Sequence, residues 1–212
     1  MRDFPIFTTE LGIASLTLSQ IPYTKKAYIR IQSTLDGEKL LQECAGFCKA
    51  AGAEEIYCTG HETCEAYPKH TDILKMQADR CSVGETDALL FPVTEKTVEK
   101  YREIYNSKIA AVPNGAWMTI AMGQKLLQDG GAYFVHRDGE LLGIGQLSGP
   151  QISWVAAIKE GAGADVVRAL CHGIFEDRVI LEVASENKKA MALYDKLGFI
   201  PVELISSWYR YK

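Results

Sequence analysis

The sequence predicts an α/β (α+β) protein in which a mixed, mainly antiparallel and twisted sheet is flanked by helices. Apolar residues alternate in strand-like runs, and these runs are separated by segments with apolar residues at helical spacing. Asp138-Gly139, placed between two β-rich runs, is a strong signal for an antiparallel hairpin. The pattern lapses around residues 80–85, which predicts a smaller N-terminal α/β subdomain (1–85) and a larger domain (86–212).

The N-terminal part has the pattern ββαβ(α)β. Leu40, Cys44 and Cys48 recur at helical spacing, and Gly52 is a helix stop signal. The predicted elements are two strands around a turn in 13–33, a helix over 36–52, a strand over 54–59 and a strand over 73–79.

The larger domain has the predicted order βααβββαβαββ. In this domain a glycine-containing loop separates a β-rich strand from a helix. The predicted elements are a strand over 87–93, helices over 94–106 and 116–128, a hairpin over 132–147, a strand over 150–158, a helix after the loop 159–164, a strand over 179–185, a helix over 187–198 and two closing strands, 199–205 and 206–212.

Composition excludes several classes of protein. The chain has 212 residues, 47% of them hydrophobic, with a net charge of -4. It contains no apolar run of the ~18–20 residues that a membrane span needs, and no basic run that would attract nucleic acid. Residues 1–12 lack the apolar stretch of a signal peptide, so we expect a cytoplasmic protein, without membrane or nucleic-acid partners, whose six cysteines are thiols.

The loop 159–164, KEGAGA, lies between a strand and a helix. Glycines let a backbone approach a ligand closely, and free N–H groups at a helix N-terminus bind anions such as a pyrophosphate. A turn that needs Gly161 and Gly163 for conformation alone explains the loop equally well. A dinucleotide-binding fingerprint, with Glu182 about twenty residues on, is a weaker alternative, because Val166 stands at its third glycine position.

A second segment, residues 181–199, carries a more specific pattern. On its predicted helix Asn187, Ala190, Met191 and Tyr194 share one face, and Gly198 suits the left-handed cap position. For a tyrosine at such spacing, core packing is the simplest interpretation.

Taken together, the hairpin, the loop and the run E-V-x-x-x-N-x-x-A-x-x-L-Y-x-x-x-G-F closely resemble the GNAT superfamily of acyl-CoA-dependent N-acyltransferases, over residues 87–212. The family's phosphate loop is usually [RQ]-x-x-G-x-[GA]. Gly161 and Gly163 match its two small positions, whereas Ile158 stands where the family has Arg or Gln.

The resemblance implies acetyl-CoA as co-substrate and no metal ion. It implies that the pantetheine arm pairs with the backbone of β-strand residues, that loop amides hold the pyrophosphate, and that Lys159 replaces the missing cation. The implied cofactor-binding residues are Val155, Ala156, Lys159, Gly161, Ala162, Gly163, Ala164, Asn187 and Tyr194.

The resemblance also implies two catalytic residues. Tyr194 matches the position of the family's usual general acid, and a phenol with a pKa of about 10 can protonate a departing thiolate. Glu182 matches the base of members that acetylate protein N-termini, although a solvent-facing strand residue explains it too. The predicted activity is therefore direct transfer of an acetyl group from acetyl-CoA to a primary amine.

Several alternatives stay open at this point. One alternative is a protein that has this fold but catalyses no reaction, which would be an acyl-CoA-binding or regulatory module. The other is an interaction protein that acts through its N-terminal half. That half is interpreted as a degenerate GNAT-like half. Cys58-x-x-His61-x-x-Cys64 permits a zinc site, but a cysteine-rich strand end explains it more simply. The acceptor is a small-molecule or peptide amine, and a homodimer is an open option.

Overall fold

The computed structural model describes residues 6–211 and consists of strands interleaved with helices. The strands are β1 (Ile6–Thr9), β2 (Gly12–Thr17), β3 (Lys26–Thr34), β4 (Glu55–Thr59), β5 (Lys69–Asp79), β6 (Leu89–Pro92), β7 (Ala132–Arg137), β8 (Glu140–Ser148), β9 (Gln151–Ala157), β10 (Arg178–Ala184) and β11 (Ile200–Arg210). The helices are α1 (Ile21–Thr24), α2 (Gly37–Ala50), α3 (Val98–Ile109), α4 (Ile120–Asp129), α5 (Gly163–His172) and α6 (Lys188–Lys196), with 3₁₀ turns at Glu62–Ala66 and Arg80–Ser82.

The chain divides into two compact units. The N-terminal unit holds the described residues up to Ile73 together with those from Ile205 onward, and the C-terminal unit holds Leu74–Leu204. This division differs from the predicted boundary after residue 85. The reason is that β5 and β11 are long strands, and each supplies residues to both units.

In the N-terminal unit the strands follow the order β1-β2-β3-β4-β11-β5. The pairs β1–β2, β2–β3 and β4–β11 are antiparallel, whereas β3 and β4 are parallel and connected by α2. Helix α2 is the helix predicted over 36–52. Asp36 caps it by accepting the backbone N–H of Lys39, and its buried face, including Leu40 and Cys44, packs on the sheet.

In the C-terminal unit the order is β11-β5-β10-β9-β8-β7-β6. The strands from β6 to β9 are antiparallel neighbours, and β9 is parallel to β10. Successive strand residues face two different cores: Val135 and Ile152 pack with α5 and α6, whereas Phe134 and Ile144 pack with α3. The unit is therefore a mixed, mainly antiparallel sheet with helices on both faces, as predicted.

The C-terminal residues form one strand where the sequence predicts two. The predicted break falls between Ile205 and Ser206. In the structure, the hydroxyl of Thr59 donates to the carbonyl of Ser207 at 2.6 Å, and the Ser207 hydroxyl donates to Asp72 at 2.7 Å. These partners keep the backbone extended through the serines.

Within residues 6–211, no helix is long and apolar enough to cross a membrane.

Gly143 on β8 allows α5 to lie close to the sheet. A Cβ at this position would be 2.6 Å from both the carbonyl oxygen of Ala156 and the Cγ2 atom of Val166. Such contacts force backbone shifts, and overpacking of this kind costs about 1–3 kcal/mol.

We therefore expect Gly143→Ala to lower the free energy of unfolding by about 1–3 kcal/mol, measured by urea denaturation. Gly123→Ala is the matched control, because a Cβ in this helix would meet Val98 at an ordinary 3.5 Å. It should raise stability by roughly 0.5–1 kcal/mol. A Gly143→Ala variant as stable as the native chain would contradict the close approach.

Candidate active site

The central feature of the C-terminal unit is an opening between β9 and β10. Within the described chain, their parallel ladder consists of two residue pairs, Ile180 with Gln151 and Leu181 with Ile152. Beyond them, Ser153–Ala157 keep β8 as a neighbour but are not paired with β10. The backbone on this side of β9 is thus available to an extended ligand, as the sequence predicts for Val155 and Ala156.

A β-bulge lies where the opening begins. Leu147 pairs with Ile152 and Gln146 pairs with Trp154, so Ser153 is the extra residue of β9. The bulge changes which face each side chain meets: Ile152 packs with α5, whereas Trp154 packs with α3. Bulges re-aim side chains next to active sites, and sequence periodicity gave no sign of this one.

The glycine-containing loop leads into the N-terminus of α5. Val166 donates the first intrahelical hydrogen bond, to the carbonyl of Ala162. The amides of Gly163 and Ala164 precede that bond and have no acceptor within the helix. The amide of Ala162 donates to the carbonyl of Lys159 at 3.3 Å, so this predicted pyrophosphate donor is already used in the turn.

Gly161 has the backbone conformation that glycine favours, with φ of +80°, and a Cβ there would meet no atom within 4 Å. Both observations agree with a loop that leaves room for a bound group. The structure therefore brings together three free amide positions, Gly161, Gly163 and Ala164, at the positive end of a helix.

The cations near this loop differ from the expectation. Lys159 is exposed and its ammonium group pairs with the carboxylate of Glu140. Arg137 instead reaches the first turn of α5, where its Nη1 lies 2.8 Å from Oδ2 of Asp165. The sequence did not indicate Arg137, because it is separated from Asp165 by a hairpin and a strand. Ile158 packs against the aromatic core beneath α3.

Helix α6 positions the two polar residues of the sequence signature. Asn187 is its N-cap, and the side-chain oxygen accepts the backbone N–H of Ala190 at 3.3 Å. The side-chain nitrogen of Asn187 is then the atom that would make the predicted contact with the pantetheine arm. Tyr194 is 7% exposed, and burial, followed by the nearby Cys171, raises the pKa of its phenol to about 12.

Glu182 and Tyr194 lie on opposite faces of the sheet. Leu181 and Val183 face the core beneath α5 and α6, which also contains Tyr194. Strand alternation therefore turns the exposed Glu182 toward the other face, the one that Trp154 also meets. Glu182 directly follows the last paired residue of β10, so it stands where the strands part.

An aromatic group on α3 borders this face and was not predicted as part of a site. The rings of Tyr101 and Tyr105 contact Trp154, with centroid distances of 5.1 and 4.5 Å. The indole of Trp154 donates to Gln146 at 3.0 Å. Only the helical periodicity of the tyrosines was visible in the sequence, because their contacts with Trp154 join distant segments.

The segment after α3 is held by side chains of that helix. The amide of buried Asn106 donates to the carbonyl of Met118 at 3.0 Å and accepts its N–H at 2.8 Å. The hydroxyl of Tyr105 donates to the carbonyl of Ala116 at 2.9 Å. These bonds hold the backbone that precedes α4 against α3.

The cysteine-rich strand end of the N-terminal unit has a simpler structure. Cys58 and Cys64 are buried, and a thiol–thiol hydrogen bond, with burial, raises the pKa of Cys58. The Nδ1 atom of His61 accepts the backbone N–H of Thr63 at 3.2 Å. Over residues 6–211, no cluster of three or more such side chains is placed to hold a metal ion.

The parallel strands of the N-terminal unit stay paired. β3 and β4 form five consecutive pairs, from Lys26 with Glu55 to Arg30 with Thr59. Gly60 follows at once, and its Cα lies so close to the carbonyl of Ile31 that a side chain would collide with it. The edge between these two parallel strands is therefore occupied by their own pairing, unlike the edge between β9 and β10.

Comparisons with known proteins identify the fold. No family model and no curated protein matches the chain. Among solved structures, a functionally unknown conserved protein from Staphylococcus epidermidis is 12% identical over 99% of this chain and 94% of its own, with a TM-score of 0.64.

Two further solved structures are acetyltransferases. A GCN5-related N-acetyltransferase from Sphaerobacter thermophilus is 13% identical, covering 93% of this chain and 75% of its own, with a TM-score of 0.56. An acetyltransferase of the GNAT family from Colwellia psychrerythraea is 12% identical, covering 98% and 84%, with a TM-score of 0.54. The chain therefore has the GNAT fold that its sequence resemblance predicted.

The cap role of Asn187 is testable. Asn187→Ala should lower the free energy of unfolding by about 1 kcal/mol, because the N–H of Ala190 loses its acceptor. Asn187→Asp is the matched control, since a carboxylate caps a helix equally well. Urea denaturation measures both, and equal stability of the alanine variant and the native chain would contradict the cap.

Proposed function

We propose that the chain is an N-acetyltransferase that moves an acetyl group from acetyl-CoA to a primary amine. The observation that carries this proposal is the opening between β9 and β10, because it leaves a strand edge unpaired beside free amides at a helix N-terminus. A pantetheine arm is extended and bears amides, and a pyrophosphate is an anion, so acetyl-CoA matches both features.

In the proposed complex the pantetheine arm pairs with the backbone of Val155 and Ala156. The amides of Gly161, Gly163 and Ala164 hold the pyrophosphate, and the amide nitrogen of Asn187 contacts the arm. Arg137 offsets the negative charge of Asp165 in the first turn of α5, and Lys159 stays the predicted cation for the pyrophosphate. The missing Arg or Gln at Ile158 is the feature that favours a non-catalytic acyl-CoA-binding module instead.

The proposed reaction is direct attack of the amine on the thioester carbon. The amine approaches on the face of Glu182, which accepts its proton directly or through a water molecule. Backbone donors near the bulge at Ser153 polarise the carbonyl oxygen. Tyr194, on the opposite face, donates a hydrogen bond to the departing thiolate, and solvent protonates the sulfur once CoA is released. The products are an amide and free CoA, and the step needs no covalent enzyme intermediate.

The first experiment measures acetyl-CoA binding by thermal shift, followed by release of free thiol across a panel of small-molecule and peptide amines. Stabilisation together with thiol release supports the enzyme. Binding without thiol release from any amine would favour the non-catalytic module, and absence of binding would remove acetyl-CoA from the proposal.

Tyr194→Phe should reduce turnover by about 10²-fold or more, because the thiolate loses its donor, with little change in acetyl-CoA affinity. Tyr133→Phe, a tyrosine of β7 outside the site, is the matched control and should retain native turnover. Steady-state kinetics with the best amine of the panel decide the point. Native turnover in Tyr194→Phe would remove this phenol from the mechanism.

The raised pKa of Tyr194 also predicts a pH profile. Because the phenol keeps its proton until the pH approaches about 12, its ionisation should cause no loss of rate between about pH 8 and 10. The rate should instead rise as the attacking amine loses its proton. A fall in kcat/KM near pH 10 that disappears in Tyr194→Phe would contradict the assignment.

The cytoplasmic location and the choice between a small-molecule and a peptide acceptor stay predictions of the sequence. The aromatic group around Trp154 and the held segment after α3 border the face from which the acceptor is proposed to approach.

A further inference from the structure

The first turn of α5 carries one carboxylate, that of Asp165, beside the amides proposed to hold the pyrophosphate. Asp165 is the third residue of α5 and directly follows Gly163 and Ala164. Helical side chains point back toward the helix N-terminus, and a carboxylate is attracted to the free N–H groups there. An unrestrained Asp165 carboxylate would therefore compete with an anionic ligand for these amides.

Two side chains from outside α5 hold this carboxylate. Nη1 of Arg137, the last residue of β7, donates to Oδ2 of Asp165 at 2.8 Å, and the hydroxyl of Thr86 donates to Oδ1 at 3.2 Å. Within residues 6–211, neither Gly163 nor Ala164 donates its amide to this carboxylate. Both oxygens of Asp165 are thus bound by other segments, and the two amides stay free.

Two arginines also balance the charge of Asp165. Nη1 of Arg168, three residues later in α5, lies 3.7 Å from Oδ1 of Asp165, while its Nε donates to the carbonyl of Val83 at 3.1 Å. The side chains of Arg137 and Asp165 are 37% and 22% exposed, so solvent screens their charges only in part. Two positive groups and one negative group leave this turn net positive, where Asp165 alone would make it negative.

We propose that Arg137 and Thr86 are positioning residues for acetyl-CoA, because they hold the Asp165 carboxylate away from the free amides and Arg137 offsets its charge. This inference rests on the proposed binding of acetyl-CoA at the loop before α5. Strand β8 separates β7, which carries Arg137, from the opening beside β9. Arg137 therefore acts on the binding of acetyl-CoA through Asp165, and not on the transfer of the acetyl group.

Isothermal titration of the full chain with acetyl-CoA tests the proposal. Arg137→Gln should weaken binding about fivefold or more, because the charge of Asp165 is left without its main partner beside the pyrophosphate. Asp165→Asn should bind acetyl-CoA no more weakly than the native chain. The double variant Arg137→Gln/Asp165→Asn should regain native affinity within about twofold. A merely structural role of Arg137 would not be rescued by removing the charge of its partner.

Further variants separate charge from packing. Arg178→Gln is the matched control, because Arg178 is the exposed first residue of β10, and it should bind acetyl-CoA normally. Thr86→Val removes the second donor with little change of volume and should weaken binding about twofold. Thermal melting checks the fold of Arg137→Gln, and Thr86→Val and Asp165→Asn keep the test decisive should that variant unfold.

Salt gives a second readout, because the difference in affinity between Arg137→Gln and the native chain should shrink in about 1 M salt, where charges are strongly screened. Equal affinity of Arg137→Gln and the native chain at low salt, or no recovery in the double variant, would overturn this proposal and leave the proposed function intact. Absence of acetyl-CoA binding to the native chain would overturn the proposed function itself, and this assignment with it.

Discussion

The architecture of the C-terminal unit depends on the early end of pairing between β9 and β10. Buried backbone polar groups are almost always paired in proteins, so a strand edge left open in a sheet needs water or a ligand. Here the ladder stops after two pairs, and β8 alone accompanies the rest of β9. The bulge at Ser153, the position of Glu182 beyond the last pair and the loop into α5 all border this opening.

The two units show that the order β-α-β does not by itself create a site. Both contain two parallel strands joined by a helix, β3-α2-β4 and β9-α5-β10. In the first, five consecutive residue pairs join β3 to β4, so the backbone groups between them are already bonded. Gly60 then lies against the carbonyl of Ile31. The difference between the two parallel pairs lies in how far their pairing runs, and the degenerate character of the N-terminal half stays a prediction.

Local signals allowed much of the fold to be predicted. The apolar spacing of α2 and the stop signal Gly52 predicted that helix, and Asp138-Gly139 predicted the hairpin, where both residues adopt positive φ. Gly198 follows the C-terminal end of α6 and also has a positive φ, as the sequence predicts for a left-handed cap residue. These features depend on residues close together in the chain, which a single sequence displays.

The features that escaped prediction join distant segments. The bulge depends on the register between Ser153 and the strand carrying Gln146, and Arg137 meets α5 through Asp165. The continuity of β11 depends on partners of Ser207. No pattern within one segment encodes such contacts. The sequence nevertheless indicated that the backbone of β9 and the glycines of the following loop would face a ligand. Close approach of a backbone to a ligand favours glycine, and that preference is visible within one short segment.

The environment of Tyr194 bears on how a thiolate would leave. Burial raises the pKa of the Tyr194 phenol to about 12, well above that of an ordinary thiol, so the phenol is the weaker acid of the two. Full proton transfer to the sulfur is therefore unfavourable in this buried setting, whereas a hydrogen bond from the phenol to the developing anion is favourable. In the proposed reaction Tyr194 would stabilise the thiolate while keeping its own proton, and solvent would protonate CoA after release. Burial thus suits the residue to donate a hydrogen bond without ionising, while Glu182, the proposed base, lies on the opposite face of the sheet.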